Sequence, residues 1–599
     1  MPCSSDRGAL LPHPLRLILK RVLICVAGSI LFGFISIHPA LAETPAKARA
    51  QTSKKRDLDS AIRFEDVAKD SGITFRLNNS VSPQRFLIET MTGGVALLDY
   101  DNDGFLDVFL TNGAEIPSLE KNGPKYWNRL YHNNHDGTFT DVTEEAGIKG
   151  IGYSMGVAVG DFDNDGFEDI FVAGVNANQL LHNNGDGTFT DVTSKAGVGG
   201  MRPDGIKPWS VTAGWFDYDR DGRLDLLVIN YLDYDIRTAA PCSRLGTPAY
   251  CSPKGFQGTQ NILYHNNGDG TFTDVSASSG ISKYAGKGMG VAFADFDNDG
   301  FPDVFISNDS FQNWLLHNNR DGTFTNVATQ MGVAYNENGS TVAGMGPAFR
   351  DIDNDGWPDI FETAMFGDAF PLYRNFEGKE FRDVTSASGL TAMTSRLTAW
   401  GTGVFDFDND GWKDIFVATS EILDNSMELE HRPYALPNGV FRNVSRKEGK
   451  LRFEDLSLVA GRGSSNPAAH RGAAFGDVNN DGKIDVVETV MNASPKLLMN
   501  RSLNKNHWIV FRLIGVKSNR DGIGTKIEVT TTADGKPFKQ YNECATAVGY
   551  NSSSDKRVHF GLGPSSKIDS VRLIWPSGTV QTLSNVDSDQ VVTVKEGSQ

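Results

Sequence analysis

The chain has 599 residues, with 57 Lys and Arg against 74 Asp and Glu, a net charge of −17, 63 Gly, 24 Pro and 39% hydrophobic residues. That hydrophobic content suffices for a buried core and excludes wholesale disorder. The acidity, without any Lys/Arg cluster in the body of the chain, excludes a surface built to track phosphates, so nucleic acid is not an expected partner.

At the N-terminus, Arg16, Lys20 and Arg21 precede sixteen apolar or small residues, Val22 to Ile37, and then Ala40-Leu41-Ala42. A basic start, a short apolar run and a small-x-small site predict a secretory signal over 1–42, with a linker over 43–60. Sixteen residues fall short of the roughly 20 that a spanning helix needs, so no membrane span is expected in the mature chain. Cleavage removes four bases and one acid and deepens the charge to −20. The expected location is periplasmic, extracellular or at the cell surface. Cys242 and Cys251, nine positions apart in an irregular stretch, are expected to form a disulfide in such an oxidising space.

From residue 61 to 503 two signatures alternate. Asp-x-Asp/Asn-x-Asp-Gly-x-x-Asp begins at Asp99, Asp161, Asp217, Asp295, Asp351, Asp406 and Asp477, with spacings of 62, 56, 78, 56, 55 and 71. Phe-x-Asp-Val begins at Phe64, Phe139, Phe189, Phe272, Phe324, Phe381 and Phe453, with Asn326 and Leu456 as departures. Short β-rich runs flank each acidic loop, giving four strands per unit of about 55 residues. Seven such units predict an all-β fold, a seven-bladed propeller. The last unit lacks its Phe-x-Asp-Val strand and the first has one to spare, so Phe64 to Val67 is expected to complete blade seven and close the ring, which removes exposed edges.

The acidic loops have the chemistry of a hard-cation site. Positions 1, 3, 5 and 9 supply side-chain oxygens and position 7 a carbonyl, a set suited to Ca²⁺. In chain order these are Asp99, Asp101, Asp103, Phe105 and Asp107; Asp161, Asp163, Asp165, Phe167 and Asp169; Asp217, Asp219, Asp221, Arg223 and Asp225; Asp295, Asp297, Asp299, Phe301 and Asp303. The remaining three are Asp351, Asp353, Asp355, Trp357 and Asp359; Asp406, Asp408, Asp410, Trp412 and Asp414; Asp477, Asn479, Asp481, Lys483 and Asp485. Up to seven calcium ions are expected, with weaker binding at the last loop because of Asn479. No His or Cys sits within the loops to favour zinc. Helical EF-hands are rejected because position 12 is aliphatic in five loops, while Glu362 and Glu488 lie in β-patterned segments.

From His507 to about Lys595 the alternation continues without acidic loops. Strands are expected at Trp508–Leu513, Lys526–Thr531, Val558–Leu562, Val571–Trp575 and Val591–Val594 of a separate β domain, 504–599. The acidic loops resemble the calcium hairpins of integrin α-subunit propellers, the FG-GAP or VCBS repeat. The tail segments His507-Trp508, Gly522-Ile523-Gly524, Gly549-Tyr550, His559-Phe560-Gly561-Leu562-Gly563 and Trp575-Pro576-Ser577-Gly578 resemble the ASPIC/UnbV domain of the cartilage acidic protein family and its bacterial relatives. The resemblance implies a secreted calcium-binding propeller.

Function is expected on the face opposite the acidic loops, where the insertions Tyr231 to Gly258 and Glu421 to Asn438 emerge. Trp209, Trp400, His470 and Arg471 stand where other blades have Met-Gly, and Trp and Arg are residue types that anchor ligands. His132, His182, His265 and His317 share one slot in four blades and are expected to be architectural. No Walker loop, nucleophile elbow or His-Glu-x-x-His is present, and no catalytic residue is expected. The expectation is an adhesion or binding module for a protein or polysaccharide ligand. The alternative is a carbohydrate-active hydrolase or lyase working at the channel mouth.

Overall fold

The computed structural model describes residues 61–200, 209–533 and 535–598. The expected signal and linker lie outside the described residues. Strands dominate, and the α-helices among the described residues are single turns of four or five residues, such as Thr193–Ala196 and Gly461–Ser465.

Seven four-stranded antiparallel sheets follow one plan. Sheet 1 runs Val95–Leu98, Asp107–Leu110, Arg129–Asn133 and Phe139–Asp141 from inside outward. The inner strands of sheets 2 to 7 are Tyr153–Gly160, Ser210–Phe216, Gly288–Ala294, Pro347–Arg350, Ala399–Phe405 and His470–Gly476. In sheet 7 the outer strand is the N-terminal Phe64–Asp66, which pairs with Lys496–Asn500 in the register Phe64 to Asn500. Inner strands pack consecutively, and the last packs against the first. An apolar cluster lies between each neighbouring pair of sheets. Between sheets 7 and 1 it is built from Val487 and Leu497 against Val95, Val108 and Tyr131. The sheets therefore complete a propeller-like circuit in which each buries a face it could not bury alone.

The C-terminal strands form two further sheets. One orders Val558–Gly563, His507–Ile514 and Gln590–Lys595; the other orders Lys536–Glu543, Lys526–Ala533, Lys567–Ile574 and Val580–Asp587. Two of these strands, Lys536–Glu543 and Val580–Asp587, have no counterpart in the sequence expectation. Both are sheet edges with few buried residues, so they lack the apolar alternation that marks a strand. Glu596 ties the end of this domain down. Its Oε2 accepts the backbone N–H groups of Val516, Lys517 and Ser518 at 2.8, 2.7 and 2.9 Å. Burial opposes the charge, but these bonds and the Ser577 hydroxyl hold its carboxyl at about 2, below the usual range. A depressed carboxyl stabilises the fold above its unfolded value near pH 4.5, and that contribution disappears as pH falls toward 2. Glu596→Gln is expected to cost about 2 kcal/mol at pH 7, read by denaturant titration, with the difference from wild type vanishing near pH 2.

The domain is joined to the ring by more than its linker. Residues 545–555 leave the strand Lys536–Glu543, enter the middle of the seven sheets and return to Val558–Gly563. Gly549 N–H donates to Pro347 O (2.9 Å), Val157 N–H to Asn551 O (3.1 Å), and Asp555 N–H to Phe475 O (3.1 Å). Ser553 N–H donates to Val95 O at 3.0 Å and its carbonyl accepts from Leu97 N–H at 3.1 Å. Inner strands present backbone groups with no further strand to pair with, and this plug satisfies them. The glycines of the Met-Gly pairs permit the approach. A Cβ on Gly156 would lie 3.1 Å from Asn551 Cα, and one on Gly346 would lie 2.8 Å from Tyr550 N.

Candidate metal loops and ligand cavity

Each acidic loop connects the two innermost strands of its sheet. Position 4 lies in the left-handed region, as Asn102 at φ 59° and Asn164 at 62°, and the Gly at position 6 follows at positive φ, so the chain wraps a small volume. In loop 2 the position-1 carboxylate of Asp161 accepts from Asp165 N–H (3.0 Å) and Gly166 N–H (2.8 Å). Position 9, Asp169, accepts from Phe162 N–H at 3.1 Å and from Asn183 N–H on the next strand at 2.8 Å. The same pattern recurs at Asp225, Asp303, Asp359, Asp414 and Asp485. Position 9 thus fixes the hairpin while offering its oxygens to the loop.

Burial, with neighbouring carboxylates adding to it, pushes these acids up. Asp107 rises to about 9, Asp161 and Asp217 to about 8, and Asp169, Asp225 and Asp303 to about 7. Asp99 Oδ1 and Asp101 Oδ1 in loop 1, Asp353 Oδ1 in loop 5 and Asp408 Oδ1 in loop 6 are buried with no hydrogen-bond partner. Oxygens in that condition fit a cation and are costly without one.

Two features of the loops were not drawn from the sequence. First, the loops are linked to one another. The position-4 side chain donates to the position-6 carbonyl of the next loop: Asn102 to Gly166 (2.9 Å), Asn164 to Gly222 (3.0 Å), Asn298 to Gly356 (3.3 Å), Asn354 to Gly411 (2.9 Å), Asn409 to Gly482 (2.9 Å) and Asn480 to Gly104 (3.0 Å). In loop 3 Arg220 replaces Asn and donates instead to Pro576 O of the C-terminal domain (2.5 Å). Asn in six loops was visible in the sequence, but its partner lies 57 to 73 residues away, and 376 away for Asn480.

Second, the shared His slot faces the loop carboxylates. His132 Nδ1 lies 3.2 Å from Asp101, and His182, His265 and His317 lie 3.1, 3.2 and 3.0 Å from their position-9 Asp. The bond to that Asp raises the pKa of His182, His265 and His317. In sheets 5 and 6 the slot holds Arg374, 2.5 Å from Asp353, and Arg442, 2.7 Å from Asp408, each of which also reaches the position-5 Asp. Histidine is therefore at the loops after all, brought there by the third strand. The C-terminal domain lies on the same side: Arg557 donates to Asn480 Oδ1 and Asp477 O, and Lys526 to Asp295 and Asn298.

The opposite face carries the two insertions. In the first, Cys242–Arg244 and Thr247–Ala249 form a hairpin closed by the Cys242–Cys251 disulfide. It meets the second insertion directly: Arg244 pairs with Glu430, Thr247 Oγ1 donates to Glu428 (3.2 Å), and Asn425 Nδ2 donates to Pro248 O (3.0 Å). Beneath this arch lies a cavity of 520 Å³ with Met289, Met345, Tyr231 and Trp400 at its floor and Asp309, Glu421 and Arg432 among its polar groups. Tyr231 donates to Asp309 at 2.5 Å, and burial raises the Asp309 carboxyl.

Trp209, Trp400, His470 and Arg471 do not form an open ligand surface; each is at most 1% exposed. Arg471 donates to Thr90 O and His470 O at 2.8 Å and lies 4.0 Å over the Trp400 ring. Trp400 donates to Ser420 O at 3.1 Å and packs edge-on against Tyr550 of the plug. His470 faces Glu488 at 3.2 Å, and Trp209 packs on Tyr231 and Tyr234. They seal the end of the channel around the plug, and only Trp400 also lines the cavity.

The FG-GAP-like repeat matches residues 99–172, 161–228, 255–306, 297–362 and 406–488, together more than half of the chain, and the family described as ASPIC and UnbV matches 515–599. Human cartilage acidic protein 1 is 26% identical over 523 residues, spanning 84% of this chain and 71% of that protein, and the Xenopus tropicalis protein of that name is 25% identical over 515 residues, spanning 83% and 72%. Among solved structures, an Agrocybe aegerita lectin that recognises non-reducing terminal N-acetylglucosamine aligns with a TM-score of 0.37 at 15% identity, covering 67% of this chain and 87% of the lectin.

Proposed function

The chain belongs to the FG-GAP-like repeat family and ends in an ASPIC and UnbV domain, and from that premise we propose a secreted seven-bladed propeller whose acidic loops hold calcium and whose opposite face binds a ligand. Asp or Asn at positions 1, 3, 5 and 9 and the carbonyl at position 7 hold the ions. Calcium supplies the positive charge that keeps these buried carboxylates ionised, and its role is structural. In loops 1 to 4 the third-strand slot holds His instead of Arg, although Arg320 reaches Asp299 of loop 4 from just beyond that strand. Loops 5 and 6 bind more weakly because Arg374 and Arg442 already lie on the carboxylates, and loop 7 because of Asn479.

The observation that carries the binding role is the arch: two insertions, from sheets 3 and 6, meet only with each other's help and enclose one cavity. A ring whose sole purpose was stability would gain nothing from two long excursions to the same point. The aromatic and thioether floor with a charged rim suits a protein side chain or a sugar ring, and the protein acts as an interaction or adhesion module at the cell envelope or beyond it. Among the described residues no helix is long and apolar enough to cross a membrane.

The test is capture from envelope extract and on a glycan array, using the full chain beside a variant in which 242–251 is replaced by a Gly-Ser linker. The expected result is one ligand class bound by the wild type and weakened at least tenfold in the variant, with melting temperatures within a few degrees. Equal binding by both proteins would remove the cavity from the account.

A further inference from the structure

Loop 1 departs from the other loops in a way the calcium reading does not use. After the Asn of the third strand, sheets 2 and 3 have Gly185 and Gly268 at φ 73° and 76°, whereas sheet 1 has His135 at φ 66°. A side chain in that left-handed position carries a backbone cost that glycine avoids. The position reaches the loop: in sheet 4 it is Arg320, whose Nε lies 2.7 Å from the position-5 carboxylate of Asp299. In sheet 1 the His135 Nε2 lies 2.5 Å from the position-5 carboxylate of Asp103. The imidazole is held there by Phe105, stacked on it with ring centroids 4.0 Å apart. In loop 2 the corresponding Phe167 lies against Gly185.

His132 arrives from the shared slot, so loop 1 alone among loops 1 to 4 gathers two imidazoles. One ligand atom from each of Asp103, His132 and His135 lies within 4.8 Å of the others, and Asp101, Asp107 and His132 form a second such group. His132 Nδ1, Asp99 Oδ1 and Asp101 Oδ1 are buried atoms with no hydrogen-bond partner. His135 is 43% exposed on its side chain, which leaves an approach from solvent.

We propose that loop 1 is a transition-metal site, binding Zn²⁺ through His132, His135 and Asp103. Two imidazoles and a carboxylate are the donor set of zinc and the late first-row divalent ions, which bind nitrogen far better than calcium does. Three protein ligands with one side open to solvent make an exchangeable site with room for a water or a ligand group. The inference stands on its own donor set and does not require calcium in the other six loops.

The test uses the untagged full chain, stripped of metal and then equilibrated with Zn²⁺ or Co²⁺ in the presence and absence of millimolar calcium. The wild type is expected to retain one Zn²⁺ per chain against calcium and to give the visible absorption of Co²⁺ bound by nitrogen ligands. His135→Gly restores the residue that sheets 2 and 3 carry, so it leaves the fold intact. It is expected to weaken Zn²⁺ at least a hundredfold, to abolish the cobalt bands and to admit one additional calcium ion. His132→Ala is expected to abolish the same bands. Failure of the wild type to hold Zn²⁺ without calcium, or unchanged affinity in His135→Gly at an unchanged melting temperature, would overturn the proposal. The calcium count of the wild type, measured in the same samples, tests the calcium loops separately.

Discussion

Stripping calcium is expected to lower the melting temperature by on the order of 10 °C, by an amount that depends on pH. Sites of the extracellular class have Kd of about 10⁻⁴ to 10⁻³ M, so millimolar calcium contributes roughly 0.4 to 1.4 kcal/mol each, or about 2 to 8 kcal/mol over the six loops other than loop 1. That is comparable with a typical total stability. In the metal-free protein Asp107, Asp161, Asp217 and Asp225 are raised to between about 7 and 9 by burial first and by their neighbours second. A raised carboxyl stabilises the fold below its unfolded value near 4, and the contribution is lost as pH rises through the folded value. The metal-free protein is therefore expected to melt higher at pH 5 than at pH 8, whereas the calcium-loaded protein gains as the carboxylates ionise. The increment from calcium should grow steadily between these two pH values in paired calorimetric scans. A calcium increment that is flat or falls with pH would mean that ions bind elsewhere.

Deleting 504–599 is expected to unfold the seven sheets, and calorimetry of the full chain to show one transition where a separable tail would give two. The plug supplies hydrogen bonds to the inner strands of sheets 1, 2, 5 and 7, and Tyr550, fully buried, donates to Met91 O at 2.7 Å and supports Trp400. Removing it strands buried backbone groups in an open channel, each at a cost of about 1 to 3 kcal/mol. Lys556, beside the plug, lies between Asp521 at 2.6 Å and Glu168 at 3.2 Å, and the deletion removes Lys556 and Asp521 and leaves Glu168 buried without its cation. The milder variant Tyr550→Ala leaves the domain in place and is expected to cost about 4 kcal/mol, the range for emptying a large aromatic site. A chain of 61–503 that melts where the full chain does would show that the domain is an appendage.

The repeats made the strands and the acidic loops legible, because each unit restates the same alternation and the same carboxylate spacing. What the sequence did not reveal depends on contacts between units. Asn480 finds Gly104 only when the circuit closes, and His132 or Arg442 approaches its loop only once the third strand pairs with the second. Residues 545–555 fall in no expected strand, since a segment that bonds to the inner strands of four different sheets has no periodicity of its own. Trp400 and Arg471 stood out as binding types, yet Trp400 packs on Tyr550 of the plug, which belongs to the domain expected to be separate, and Arg471 packs on Trp400. The insertions, by contrast, were visible as excess length, and it is their meeting point over the cavity that only the structure supplies.

The central claim is that the acidic loops are occupied and that occupancy holds the ring together. The most direct test is to count calcium in gel-filtered full chain equilibrated with millimolar calcium, beside a variant carrying Asp161→Asn, Asp217→Asn and Asp295→Asn. At least three calcium ions are expected in the wild type, with a loss of about three in the variant and a parallel fall in melting temperature. A wild type that retains one ion or none while melting cooperatively would contradict the claim.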